Sequence, residues 1–185
     1  ERDTVVNGRW HAPGEIIESN ADAVNDRRAT WVFDIADDPK VIGTLAQTAE
    51  KKGFTVIMIT GDKDFMQLVT EKSTIWDPMK ESATDLQTIR EKFGIEPPQM
   101  IDVQGLSGDT SDNIPGVPGI GQKTAVTLIK TYTSMPELYE KLDTITRKKQ
   151  RENLETFKEQ AFLSRKLVTI DTEVPLTLDP TDFKV

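Results

Sequence analysis

The residues of this chain best suited to chemistry are aspartates. Asp62 and Asp64 stand two apart in "TGDKD", and Asp109 and Asp112 stand three apart in "GDTSD". Asp34, Asp37 and Asp38 crowd the end of "TWVFDIADDP". Taken singly, each has a plain structural reading as a helix N-cap or a turn residue. Taken together they imply more, because carboxylates converging on one cleft repel one another unless cations neutralise them. Hard oxygen donors with neither His nor Cys beside them favour Mg²⁺ or Mn²⁺ over Zn²⁺. The chain has no cysteine, which excludes disulfides and thiolate zinc sites. Its single histidine, His11, lies in a polar segment without clear periodicity and reads as a surface residue, so a Ser–His–Asp arrangement is not credible.

These acids need elements to position them. "FTVIMIT" is a continuous, branched, apolar run that reads as a buried strand, and it delivers Asp62 and Asp64 at its carboxyl end. Open parallel sheets place their ligand sites at that edge. "VIGTLAQTAEKKG" reads as a helix with Val41, Ile42, Leu45 and Ala49 near one face and Gly53 as its stop. A further helix is expected from about Asp64, with Phe65, Leu68 and Val69 on one side, and "STIWDP" reads as a second short strand closed by Pro78. Strand, helix and strand in alternation imply a parallel α/β sheet. Beyond about Thr84 the pattern is helical, through "DLQTIREKFG", "PPQMIDVQGLSG", "GQKTAVTLIKTY", "SMPELYEKLDTI" and a single long stretch "ENLETFKEQAFLSRKLVTI". The spacing of Asp109 and Asp112 brings them to one face if that segment is helical. The expected organisation is an irregular segment over 1–30, the α/β part over 31–84, a helical region over 85–178 and a tail over 179–185.

"GVPGIG", residues 116–121, reads as a tight hairpin between two helices. Glycine permits close approach and positive φ, while Pro115 and Pro118 stiffen the turn. Successive backbone N–H groups beside a helix N-terminus make a seat for phosphate, and Lys123 follows as an adjacent cation. This is the helix–hairpin–helix pattern of sequence-independent DNA binding, with Gly116, Val117, Gly119, Ile120, Gly121, Lys123 and Thr124 as its candidate contacts. A plain corner between helices would explain the glycines but not the acidic pair just upstream.

Charge is divided along the chain. The net charge is −8, yet residues 123–166 hold ten Lys or Arg against six Asp or Glu, which leaves −12 on the remainder. Carboxylates for cations and lysines for a phosphate backbone suit a metal-dependent phosphodiesterase, although ordinary mixing on solvated helices gives a similar tally. The longest aliphatic run, residues 56–59, is far too short to span a membrane. No charged-then-apolar signal peptide opens the sequence.

"TGDKDFMQLV", "GLSGDTSDNIPGVPGIGQKTA" and "EQAFLSRKLVTIDTEVPL" resemble the 5′-nuclease domain of bacterial DNA polymerase I, within the flap endonuclease superfamily. The likeness extends over about residues 36–178. It implies a PIN/FEN-like parallel-sheet core followed by a helical helix–hairpin–helix region. It also implies a 5′-3′ exonuclease or flap endonuclease that uses two Mg²⁺ (or Mn²⁺) ions roughly 4 Å apart. Carried over by position, Asp62, Asp64, Asp109 and Asp112 match catalytic metal-site acids, with Asp34, Asp37 and Asp38 as further metal ligands. The resemblance further implies K⁺ at the hairpin carbonyls, branched or duplex DNA with a 5′ end as partner, an attached or separate polymerase, and a cytoplasmic, nucleoid-associated place of work in replication and repair.

Four departures stand out. Ile35 occupies the place of a family Glu, and Pro39–Lys40 intervene between the acidic pair and "VIGTLA". The family's first strand with its Asp-Gly ligand has no match in residues 1–30. The basic helical arch is absent between Asp34 and Ile35. Two other function classes stay open on the sequence: a DNA-structure-binding module with a silent metal site, and a receiver-like signalling domain suggested by "VFDIADDPKVIGTLAQTAEKKGFTVI".

Overall fold

The computed structural model describes residues 38–176, together with the backbone of three earlier strands. Asp34 and Asp37 lie outside the described residues. Two of the early strands, β1 (Thr4–Val6) and β2 (Arg9–His11), pair antiparallel, so the segment expected to be irregular carries a pair of short strands. The chain divides into two compact units, residues 1–86 with 170–185, and residues 87–169.

The first unit is built on a four-stranded sheet in the order β3-β4-β5-β6. Strands β3 (Thr30–Phe33), β4 (Thr55–Ile59) and β5 (Ser73–Asp77) run parallel. The short edge strand β6 (Ser82–Thr84) runs antiparallel to β5. The parallel α/β expectation therefore holds, with one strand that lacked an apolar signal. Strand β4 lies inside the sheet, where Val56 and Met58 are fully buried and Ile57 and Ile59 partly so.

Helix α1 (Pro39–Lys51) connects β3 to β4. The expected gap between the acidic pair and this helix does not exist. Asp38 is the N-cap, its carboxylate accepting from the Lys40 amide at 3.0 Å, and Pro39 is the first helical residue. Proline suits that place because the missing N–H is one the helix would leave unpaired. Leu45, Ala46 and Ala49 point to the core, and Val41 and Ile42 are only partly covered. Residues 170–174 return to this unit, where the Ile170 amide donates to Gln67 Oε1 at 3.0 Å and the Val174 amide to Thr44 Oγ1 at 3.3 Å.

The second unit is helical: α2 (Leu86–Phe93, whose first residue falls in the other unit), α3 (Gln99–Ser107), α4 (Gln122–Tyr132), α5 (Met135–Glu140), α6 (Lys148–Thr156) and α7 (Lys158–Val168). Helix α3 is its centre, with Met100, Asp102, Val103, Gln104, Gly105 and Leu106 all buried; a helix covered on every side is a core helix. It packs on α4 and α7. At Gly105 an added Cβ would lie 2.7 Å from Met135 Cε and 2.9 Å from Arg165 Cα, so the close approach of α7 depends on hydrogen there. Asp102, 5% exposed, pairs with the guanidinium of Arg165 across the same contact. The single helix expected over "ENLETFKEQAFLSRKLVTI" is two, because Phe157 leaves helical dihedrals (φ −106°, ψ 23°) without a Gly or Pro to announce it.

Candidate functional site

In the first unit the acids sit where β4 ends. The Asp62 amide donates to Thr60 Oγ1 at 3.1 Å, and Asp62 Oδ1 accepts from the Asp64 amide at 2.9 Å. Asp62 is thereby the N-cap of a 3₁₀ turn, Lys63–Leu68, in place of the expected α-helix. Phe65 and Val69 anchor that turn in the core, while Leu68 is only partly buried. Asp62 is exposed and Asp64 half-buried. Both carboxylates therefore stand at the carboxyl edge of the parallel strands, as the sequence suggests. Asp38 is exposed at the head of α1.

A further acid at this edge escaped the sequence reading. Asp77 ends β5, and its Oδ1 lies 3.6 Å from where a Cβ on Gly61 would be. It is already engaged: the Lys80 ammonium, hydrogen-bonded to it, holds its carboxyl below the usual carboxylate range, and the amides of Lys80 and Met79 reinforce this. A carboxylate saturated by an ammonium and two amides is a turn anchor rather than an open ligand.

In the second unit, Asp109 and Asp112 do not share a helical face. Gly108 ends α3 with φ +69°, and the chain then folds into a turn closed by a bridge between Asp109 and Ile114. Asp109 donates to Ile114 O at 2.8 Å and accepts from its amide at 2.7 Å, and Asp109 Oδ1 accepts from the Ser111 amide at 2.8 Å. Asp109 is 6% exposed, whereas Asp112 is exposed at the tip. Burying a carboxylate is costly unless ligands meet it, so Asp109 is held in place by backbone geometry at some expense.

The same bridge fixes the hairpin. Gly108 and Gly116 face one another backbone to backbone. A Cβ on Gly108 would lie 2.5 Å from Ile114 O, and one on Gly116 would collide with the Gly108 amide. No larger residue fits either place. Val117 and Ile120 are buried, so they serve as plugs under the loop and are not contacts on its surface. The loop is then pinned from α6 and α7. The Gly116 amide donates to Ser164 Oγ at 3.1 Å, Gln160 Nε2 donates to Gly116 O at 2.7 Å, and Asn153 Nδ2 donates to Pro118 O at 2.8 Å. Sequence spacing carried no signal for these three residues. Gly121 is the N-cap of α4 and supplies no side chain to the first-turn amides, while Lys123 is exposed beside them and Thr124 half-buried. The amides that open α4 are thus left for an outside acceptor.

Comparison with known proteins bears on both units. A family model described as the 5′-3′ exonuclease N-terminal resolvase-like domain matches residues 32–94. The model for the 5′-3′ exonuclease C-terminal SAM fold matches residues 95–185. DNA polymerase I of Bacillus subtilis (strain 168) is 49% identical over 146 residues, covering 76% of this chain and 16% of that protein. DNA polymerase I of Bacillus caldotenax is 43% identical over 153 residues, covering 80% of this chain and 17% of that protein. The chain thus spans about a sixth of the length of these relatives. Among solved structures, T5 5′-exonuclease with bound divalent metal ions (zinc) superposes with a TM-score of 0.66 at 24% identity, over 72% of this chain and 50% of that one, a likeness of fold. Among the described residues, no helix is long and apolar enough to cross a membrane.

Proposed function

Because the chain belongs to the 5′-3′ exonuclease family, we propose that it is a divalent-metal-dependent 5′-nuclease that hydrolyses phosphodiester bonds at 5′ ends or flaps of branched or duplex DNA. The observation that carries this is segment 108–121, in which the backbone bridge of Asp109 with Ile114 and the close approach of Gly108 to Gly116 set Asp109 directly before the glycine hairpin, with Asp112 on the turn between. Acids suited to a cation and amides suited to a phosphate are set by the same turn, as hydrolysis of a gripped phosphodiester requires.

The donor set fits Mg²⁺ or Mn²⁺, being carboxylate oxygen throughout. Within the second unit Asp109 and Asp112 are the proposed ligands, and within the first Asp64 is. Asp38 and Asp62, with Asp34 and Asp37, complete the proposed ligand set for two ions. Bound cations supply Lewis acidity and a lowered pKa for coordinated water. The chain's own residues do the rest. The bridge at Asp109 fixes one carboxylate before any metal arrives, and the α4 amides with Lys123 hold the DNA backbone without reading bases. Monovalent K⁺ at the hairpin carbonyls and a polymerase partner remain part of this proposal.

The test is a 5′-flap substrate incubated with the chain and Mg²⁺, with and without chelator. Chelator-sensitive cleavage is expected, with Asp109→Asn or Asp112→Asn reducing it at least ~100-fold while duplex affinity stays within about twofold. Near-wild-type cleavage by either variant would make those acids turn residues only. Duplex binding without cleavage would identify a silent binding module instead.

A further inference from the structure

Helix α6, which touches the hairpin through Asn153, opens on cations that the catalytic reading does not use. Helix α6 begins with Arg147 at its N-cap and Lys148 and Lys149 in its first turn, all three exposed and with no acidic residue in that turn. Cations at the positive end of a helix dipole are locally unfavourable, so this placement does not serve α6 itself. Lys148 has a partner in Glu152 at 3.8 Å. Lys149 has none among the described residues.

The orientation of Lys149 follows from its neighbour. Asn153 of α6 touches the hairpin, with Nδ2 2.8 Å from Pro118 O and 3.3 Å from where a Cβ on Gly119 would lie. Lys149 is four residues before Asn153, on the same helix face and about 6 Å along the axis. Glu152 and Glu155 project to other sides of the helix, at about 100° and 160° from Asn153. Two exposed cations thus belong to the elements that meet the hairpin, Lys123 in the first turn of α4 and Lys149 on the Asn153 face of α6.

We infer that the duplex footprint of this unit runs from the hairpin onto α6, with Lys149 contacting a phosphate neighbouring the one seated on the hairpin. Asn153 is the positioning residue that holds the two at a fixed separation. This rests on the reading above that the chain grips duplex DNA. Because only backbone phosphates are involved, the contact carries no base preference.

The experiment measures affinity of the full chain for two duplexes of unrelated sequence across a salt series. Lys149→Ala should weaken binding about 3- to 10-fold on both and lower the salt slope by about one unit. Asn153→Ala should weaken binding with the slope unchanged, since it removes no charge. Lys141→Ala is the control: it alters net charge equally, but Lys141 is already paired with Glu137, and slope and affinity should hold. An unchanged slope in Lys149→Ala, or an equal fall in Lys141→Ala, overturns the inference. If the wild type cleaves and binds while Lys149→Ala matches it, only the α6 footprint is lost. If the wild type neither cleaves nor binds, both are.

Discussion

Substituting Gly121 separates the hairpin's fold from its function. Gly121 lies at φ −88°, ψ 172°, where any residue is comfortable, and an added Cβ meets nothing within 4 Å. The positive φ expected of this glycine is absent. Gly121→Ala should therefore change stability by no more than about 0.5 kcal/mol, the modest cost of alanine at an N-cap offsetting the stiffer unfolded chain. Gly119 is different. Its φ is +79°, and a Cβ there would lie 3.3 Å from Asn153 Nδ2, so Gly119→Ala should cost about 1–2 kcal/mol. If the space above Gly121 is where a phosphate approaches, a methyl group there displaces it from one charge-assisted amide contact. That loss is about 1.5–3 kcal/mol, or roughly 10- to 150-fold in affinity. Chemical denaturation gives the first quantity and fluorescence anisotropy with a labelled duplex gives the second. A Gly121→Ala variant that folds and binds like wild type would refute the approach of phosphate at this point.

Two predictions concern the scaffold. Asp102→Ala leaves Arg165 half-covered without its carboxylate and should destabilise the helical unit by about 2–3 kcal/mol, short of a fully buried pair because the Arg165 side chain is 40% exposed; urea titration of the variant checks this. Tyr139 buries its hydroxyl without a hydrogen-bond partner among the described residues, and burial pushes its pKa up to about 12. The folded state thus resists ionisation that the unfolded chain undergoes near 10, so stability is full below pH 10 and falls as pH rises toward 12. Tyr139→Phe should be neutral or stabilising at pH 7 and flatten this alkaline limb, which melts at pH 8 and 11 would reveal.

The sequence by itself determined whatever depends on neighbours along the chain. Residue type set the donor chemistry, since aspartates without His or Cys admit only a hard cation. The apolar run 54–60 set a buried strand, and the acids after it had to emerge at its carboxyl end. Proline and glycine between two helical patterns set a hairpin at 116–121. Each signal is contained within a few residues, because dihedral preference, side-chain period and capping are short-range. The tertiary structure decided what lies between distant residues. Asp109 and Asp112 have helical spacing, but the contact of Gly108 with Gly116 turns the chain away before a helix can form. Ser164 holds the hairpin from 48 residues away, Asn153 from 35, and Arg165 meets Asp102 across 63. Nothing local marks those side chains as partners, for a serine or an asparagine on a helix pattern reads as a solvated surface. Their roles exist only once α3 and its neighbours pack, when burial leaves each polar group no partner but the one the fold supplies.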